Sequence, residues 1–154
     1  MKTTLLTLVL AMTLTAQAGD KAPASSDRDE VVAIVNRFFA AISSRDVEGY
    51  RQVVVPGSQV TVAPVPERKA AMRRRVVEDD YKWLAESREP LLERPTSMTV
   101  HVEGRIAVVW APYEFHRNGA LTHTGVDVYT LLKTDDGWRI SGLAYSVVPA
   151  APAK

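Results

Sequence analysis

The chain has 154 residues, 46% of them hydrophobic and 24% charged, enough for one domain with a real core and short for two. Its 19 Lys and Arg oppose 18 Asp and Glu, and setting aside an N-terminal segment whose one charge is Lys2 leaves 18 against 18, so nothing attracts phosphate backbones and nucleic acid is excluded as a primary partner. Cysteine is absent, which excludes disulfides, thiolate metal sites, thiol nucleophiles and a lipoprotein anchor.

Met1-Lys2 precedes an apolar run from Leu5 to Leu14 and then the small residues Ala16 and Ala18. This reads as a cleaved secretory signal peptide over residues 1–18, because the run is shorter than the roughly 18 or more apolar residues that span a bilayer. Export to a bacterial periplasm or the exterior follows, with no stable membrane anchor after cleavage. Residues 19–26, rich in Pro, Ala and Ser, read as a flexible leader, residues 27–148 as a single domain and residues 149–154 as a disordered tail.

Ser26-Asp27-Arg28-Asp29 has the form of a capping box with Asp in place of Glu, and the helix it opens carries Val31, Ile34, Val35, Phe38, Phe39 and Ile42 on one apolar stripe. Asp46 caps a second, shorter helix through Val47, Tyr50, Val53 and Val54, stopped by Pro56-Gly57. Val60-Thr61-Val62 is a short strand ended by Pro64 and Pro66. The charged stretch 67–86 reads as a third helix with Met72, Val76, Val77, Tyr81 and Leu84 inward. Its Arg73-Arg74-Arg75 triplet is a solvated face or an anion site. Residues 88–95, broken by Pro90 and Pro95, form a connection anchored by Leu91 and Leu92, and residues 96–103 alternate into another strand.

Residues 105–148 hold three apolar runs joined by Arg117-Asn118-Gly119-Ala120 and Thr134-Asp135-Asp136-Gly137, a three-strand antiparallel meander. A two-residue Asn118-Gly119 loop sets Glu114 opposite His123, Pro112 opposite Gly125 and Trp110 opposite Asp127. A three-residue second loop sets Asp127 opposite Tyr145 and Tyr129 opposite Leu143, whereas a two- or four-residue loop turns Tyr145 away. Trp110, Asp127 and Tyr145 then line up on one face. The other face carries Val109, Ala111, Tyr113, Phe115, Val126, Val128 and Ile140 and is equally apolar, so it is expected to meet a second copy in a two-fold homodimer; a monomer whose helices wrap further is the alternative.

This order of elements resembles the nuclear transport factor 2-like (NTF2-like, SnoaL-like) superfamily, most specifically in Ala107-Val108-Val109-Trp110-Ala111-Pro112-Tyr113-Glu114-Phe115, His123-Thr124-Gly125-Val126-Asp127 and Gly137-Trp138-Arg139-Ile140. The resemblance implies an α+β, cone-shaped fold: a curved antiparallel sheet with the N-terminal helices on its concave face. Against ketosteroid isomerase, Phe38 takes the place of the oxyanion-hole Tyr, Val62 that of the general-base Asp, and Asp127 that of the second oxyanion-hole acid, so that isomerase activity is not implied. Dehydratase chemistry in the superfamily uses His, Asp and Tyr in one pocket, for which His123, Asp127, Tyr145 and Tyr50 are available.

His123 and Asp127 are thus the candidate acid–base residues, with Trp110, Tyr113, Glu114, Tyr145, Phe38 and Tyr50 as candidate ligand-binding residues. In the alternative, Glu114 and His123 form a rim hydrogen bond and Asp127 is a satisfied buried carboxylate. With three histidines and no glycine-rich, nucleophile-elbow or zinc motif, no metal or cofactor is expected. Two classes of function follow. The preferred one is a module binding a small apolar or aromatic ligand, or a dimerising accessory domain, with a pocket poor in titratable groups. The other is a cofactor-independent lyase, cyclase or isomerase. A cavity touching both His123 and Asp127, with either pKa perturbed, favours the second; a filled cone favours a dimer scaffold.

Overall fold

The computed structural model describes residues 26–63 and 71–151, so the expected signal peptide and all of the leader but Ser26 lie outside the described residues. Ser26 caps α1 (Asp27–Ser44): its hydroxyl accepts from the Asp29 N–H and donates to the Asp29 carboxylate at 2.7 Å, so Asp fills the third position of the capping box. Val31, Val35, Phe38, Phe39 and Ile42 bury the helix stripe. Asp46 caps α2 (Val47–Val53) by accepting from the Gly49 N–H at 2.9 Å.

The strand expected at 60–62 is longer, β1 (Val54–Val62), and begins where α2 stops. Of the expected third helix over 67–86, residues 67–70 lie outside the described residues and the rest is corrected to two elements: Arg73–Val76 form β2, antiparallel to β1, and Glu78–Glu86 form α3. The open ladder groups of β1 recruit the arginine triplet into a strand, and this pairing overrides its helical propensity. The proline-flanked connection likewise contains β3 (Leu91–Pro95), an edge strand whose prolines interrupt no ladder; Leu91 is buried and Leu92 points outward.

β4 (Thr99–Glu103), β5 (Ile106–Arg117), β6 (Ala120–Thr134), β7 (Gly137–Tyr145) and β8 (Val148–Pro149) complete the chain. The sheet order is β2-β1-β7-β6-β5-β3, with β4 on β5 and β8 on β6. Among the described residues the β1–β7 pair is parallel and the other pairs are antiparallel. Pro149 faces His123 and Ala150 donates to the Thr122 carbonyl, so the start of the stretch read as a tail is hydrogen-bonded. The sheet curves around α1.

Asn118 (φ 50) and Gly119 (φ 78) make the expected two-residue turn and set Arg117 opposite Ala120. Thr122 is then one residue too many: His116 faces Leu121 but Phe115 faces His123. The Thr122 hydroxyl donates to the Phe115 carbonyl at 3.0 Å and stitches this bulge. The register shifts by one, so Ala111 rather than Trp110 faces Asp127, Tyr113 rather than Pro112 faces Gly125, and Thr124 rather than His123 faces Glu114. The second turn has Thr134 opposite Gly137, and a bulge at Ser141 restores the expected Tyr129–Leu143 and Asp127–Tyr145 pairs.

The two faces are corrected accordingly. Ala107, Val109, Ala111, Tyr113 and Phe115 lie inward with Tyr129, Leu131 and Ile140, in one core with the α1 stripe. Ile106, Val108 and Trp110 point outward, and Trp110 is 52% exposed.

Candidate functional site

The core does not fill the cone. A cavity of about 450 Å³ remains between the helices, β2 and the inner sheet face. Directly opposed residues share a face, so Glu93, Phe115 and His123 form one row across β3, β5 and β6, and Asp127 and Tyr145 belong to a second row four residues further along β6, ~13 Å away.

Asp127 is 2% exposed, and its Oδ2 accepts from the buried Tyr129 hydroxyl at 2.9 Å. Burial pushes its carboxyl up to about 7, with the Tyr129 hydrogen bond pulling the other way. Glu93 on β3 is raised well above the usual carboxylate range by burial and by the charges of Asp127 and Asp80. Its backbone is clamped by α1: the Glu93 N–H donates to Ser43 Oγ at 2.9 Å, and that hydroxyl donates back to the Glu93 carbonyl at 3.1 Å. An edge strand that would otherwise be mobile is thereby held against the helix.

His123 stacks on Phe115, with centroids 4.9 Å apart and planes 17° from parallel, and meets Tyr113 edge-on. Its Nδ1 lies 2.9 Å from Thr122 Oγ1. Burial, and then the charge of Arg117, lower its pKa, so the ring is neutral at neutral pH.

Across the cavity, Arg75 Nε donates to Asp80 Oδ1 at 2.6 Å, and Asp80 Oδ2 also accepts from the Tyr50 hydroxyl at 2.9 Å. Burial works against the Arg75 charge, but the hydrogen bond and charge of Asp80 prevail and hold its pKa up. Arg75 Nη1 reaches the Tyr145 hydroxyl at 3.4 Å. Burial, and then the neighbouring charge of Asp80, raise the Tyr50 pKa; burial and the Asp127 charge do the same for Tyr113, so both phenols stay protonated donors.

Six of the eight expected site residues therefore border one cavity: Phe38, Tyr50, Tyr113, His123, Asp127 and Tyr145. Trp110 and Glu114 do not. Trp110 stands on the outer face, and Glu114 pairs with Arg94 at 2.8 Å and His116 at 3.2 Å rather than orienting His123, because the Thr122 bulge moved both off the inner register. Sequence reasoning missed Glu93, Arg75 and Asp80. The inward Leu91-x-Glu93-x-Pro95 alternation was the available signal for the first, and the strand character of β2 for the second. Among the described residues no three His, Asp or Glu side chains gather so as to hold a metal ion.

Two capped helices, a third helix and a curved sheet enclosing an open-ended cavity define the NTF2-like fold, and solved structures of that class superpose on most of the chain. A Cytophaga hutchinsonii NTF2-like protein does so with a TM-score of 0.68 at 13% identity, covering 80% of this chain and 100% of its own. A candidate dehydratase of the NTF2-like family from Streptomyces avermitilis gives 0.65 at 19% identity over 80% and 97%. The CaMKII hub homology domain of Chlamydomonas reinhardtii gives 0.63 at 22% over 80% and 99%. At such identities the likeness is one of fold. None of the curated proteins matches the sequence. Residues 31–151 match the SnoaL-like domain model, and the chain belongs to that family.

Proposed function

We propose that the domain binds a small, largely apolar or aromatic organic molecule in the cone and transfers protons on it without a cofactor, as a lyase, cyclase or isomerase does. The observation that carries this reading is Asp127, a buried carboxyl bordering a cavity of about 450 Å³, with a pKa raised to about 7. A carboxyl so tuned accepts a proton from a bound molecule and returns it at neutral pH. Tyr145, hydrogen-bonded to Arg75, is placed to donate to oxygen on which charge develops. Neutral His123 stands at the other end of the ligand, stacked and unable to move far.

A binding-only module drew its support from a pocket poor in titratable groups. With Glu93, Arg75 and Asp80 beside His123 and Asp127, that support is gone. The dehydratase description of the Streptomyces protein points the same way. We also infer export through residues 1–18, and a homodimer in which the outer-face side chains Ile106, Val108, Trp110 and Leu132, each at least 38% exposed, meet their copies.

The test has two stages. Thermal-shift screening of a small-molecule library against the exported form identifies ligands, and NMR in D2O then follows deuterium wash-in at their carbon acids. Expected is wash-in slowed by about 100-fold or more in Asp127→Asn. Ligand binding with no wash-in, or wash-in equal in wild type and Asp127→Asn, would remove the proton-transfer reading; no ligand at all would remove the pocket.

A further inference from the structure

Charge is unevenly supplied around the cavity. Arg75 donates from Nε to Asp80 and from Nη1 to Tyr145, and Arg117 turns to Glu89 at 2.8 Å. Arg73 and Asp79 stand at the exposed mouth, where Asp79 accepts from the Val76 N–H. Glu93 is different. Among the described residues no group donates to its carboxylate, and no cation lies in ion-pair reach of it or of Asp127. Asp127 takes a donor on Oδ2 and leaves Oδ1 open.

Among the described residues no sealed-off side-chain oxygen lacks a hydrogen-bond partner, so the unpartnered oxygens of these two cavity-lining residues look into free space. The lining includes the rings of Phe38, Tyr50, Tyr113 and Trp83, whereas the Phe115 ring is already stacked on His123. Two acceptor groups without a cation, inside an aromatic box, are complementary to one chemical group. Three ammonium N–H donors match the open lone pairs, and ring faces attract a cation.

We propose that the cone is built for an organic cation, a protonated amine on an aromatic or apolar body, seated with its ammonium on Glu93 and within the field of the Asp127 carboxylate. This rests on the pocket reading above and names its ligand class. In the empty pocket the two carboxyls repel one another and hold protons; the ammonium replaces those protons, so binding releases them to solvent. The Ser43 clamp fixes the Glu93 backbone and the Tyr129 hydrogen bond fixes the Asp127 carboxylate, so the strand and the second acceptor need no ordering when the amine arrives. The other titratable groups around the pair are Asp80, held by Arg75 and Tyr50, the phenols of Tyr50, Tyr113 and Tyr129, which burial keeps protonated, and His123, which burial and then the Arg117 charge keep neutral.

Calorimetry on the exported form with phenethylamine, phenethyl alcohol and phenylacetate decides the matter, run at mildly acidic and mildly alkaline pH in two buffers of different ionisation enthalpy. Expected is that the amine binds about tenfold or more tighter than the alcohol at alkaline pH, and that this preference narrows in acid, where the amine must displace protons and binding releases them. Glu93→Gln should abolish the preference and leave the alcohol's affinity within about twofold; Asp127→Asn on the same three compounds serves if that variant misfolds. The alcohol or phenylacetate binding as tightly as the amine, or an undiminished preference in the variant, overturns the amine assignment while the pocket stands. Failure of all three to bind at millimolar concentration overturns both.

Discussion

At the scale of single residues, the Asp127 carboxyl keeps a proton that the unfolded chain has already released. Its pKa is about 7 in the fold against 3.8 unfolded, so between about pH 4 and about pH 7 the folded state binds more protons and stability falls as pH rises, by on the order of a few kcal/mol. Glu93, also raised, acts with the same sign. His123 opposes them below its ordinary value of 6.5, since its lowered pKa makes stability rise with pH there. The comparison of wild type with Asp127→Asn isolates the first contribution: denaturant unfolding across this range should show the variant with the shallower decline, and equal slopes would show that Asp127 does not carry the proton. Asp127 was legible in the sequence because alternation along a long strand assigns a face. Glu93 was not, because four residues between Pro90 and Pro95 give alternation too little length to register.

At the scale of elements, Gly125 on β6 packs directly against the backbone of Ser146, just past the end of β7. A Cβ added there lies 2.1 Å from the Ser146 carbonyl oxygen and 2.7 Å from Tyr113 Cε1. The carbonyl cannot recede, because the Ser146 N–H donates to the Val126 carbonyl and Ser146 Oγ accepts from the Val126 N–H, both at 3.0 Å. Gly125→Ala should therefore destabilise the domain by about 3 kcal/mol, read as a lower denaturation midpoint at unchanged slope. A loss under about half a kcal/mol would mean that the strands separate freely here. α1 and α2 were readable because Ser26 and Asp46 satisfy N–H groups a few residues away. β2 was not, because what makes Arg73–Val76 extended is the open edge of β1, a partner distant in the chain.

At the scale of the whole molecule, the curved sheet has one face closed by helices and one left bearing Ile106, Val108, Trp110 and Leu132. The proposed two-fold dimer buries these side chains, and Val108→Asp with Trp110→Ser places a charge and a loss of apolar area at its centre. Sedimentation at micromolar concentration should show the wild type as a dimer and the double variant as a monomer, with the cavity's ligand binding retained. A wild type that stays monomeric as concentration rises would leave the outer face without this role.

Taken alone, the sequence determined what local chemistry determines: the capped helices, the Asn118-Gly119 turn, the alternation of β5 and β6, and the family to which these belong. Tertiary structure decided which residues meet. One extra residue at Thr122 moves the β5 side chains from Phe115 back to Ile106 by one position against β6, and because strand side chains alternate with period two, that single step exchanges Trp110 for Ala111 beside Asp127. Nothing near Thr122 in the chain announces the bulge. A bulge bends and twists its strand, and which side chains meet across a long hairpin after such a step is set by pairing between segments and not by local chemistry.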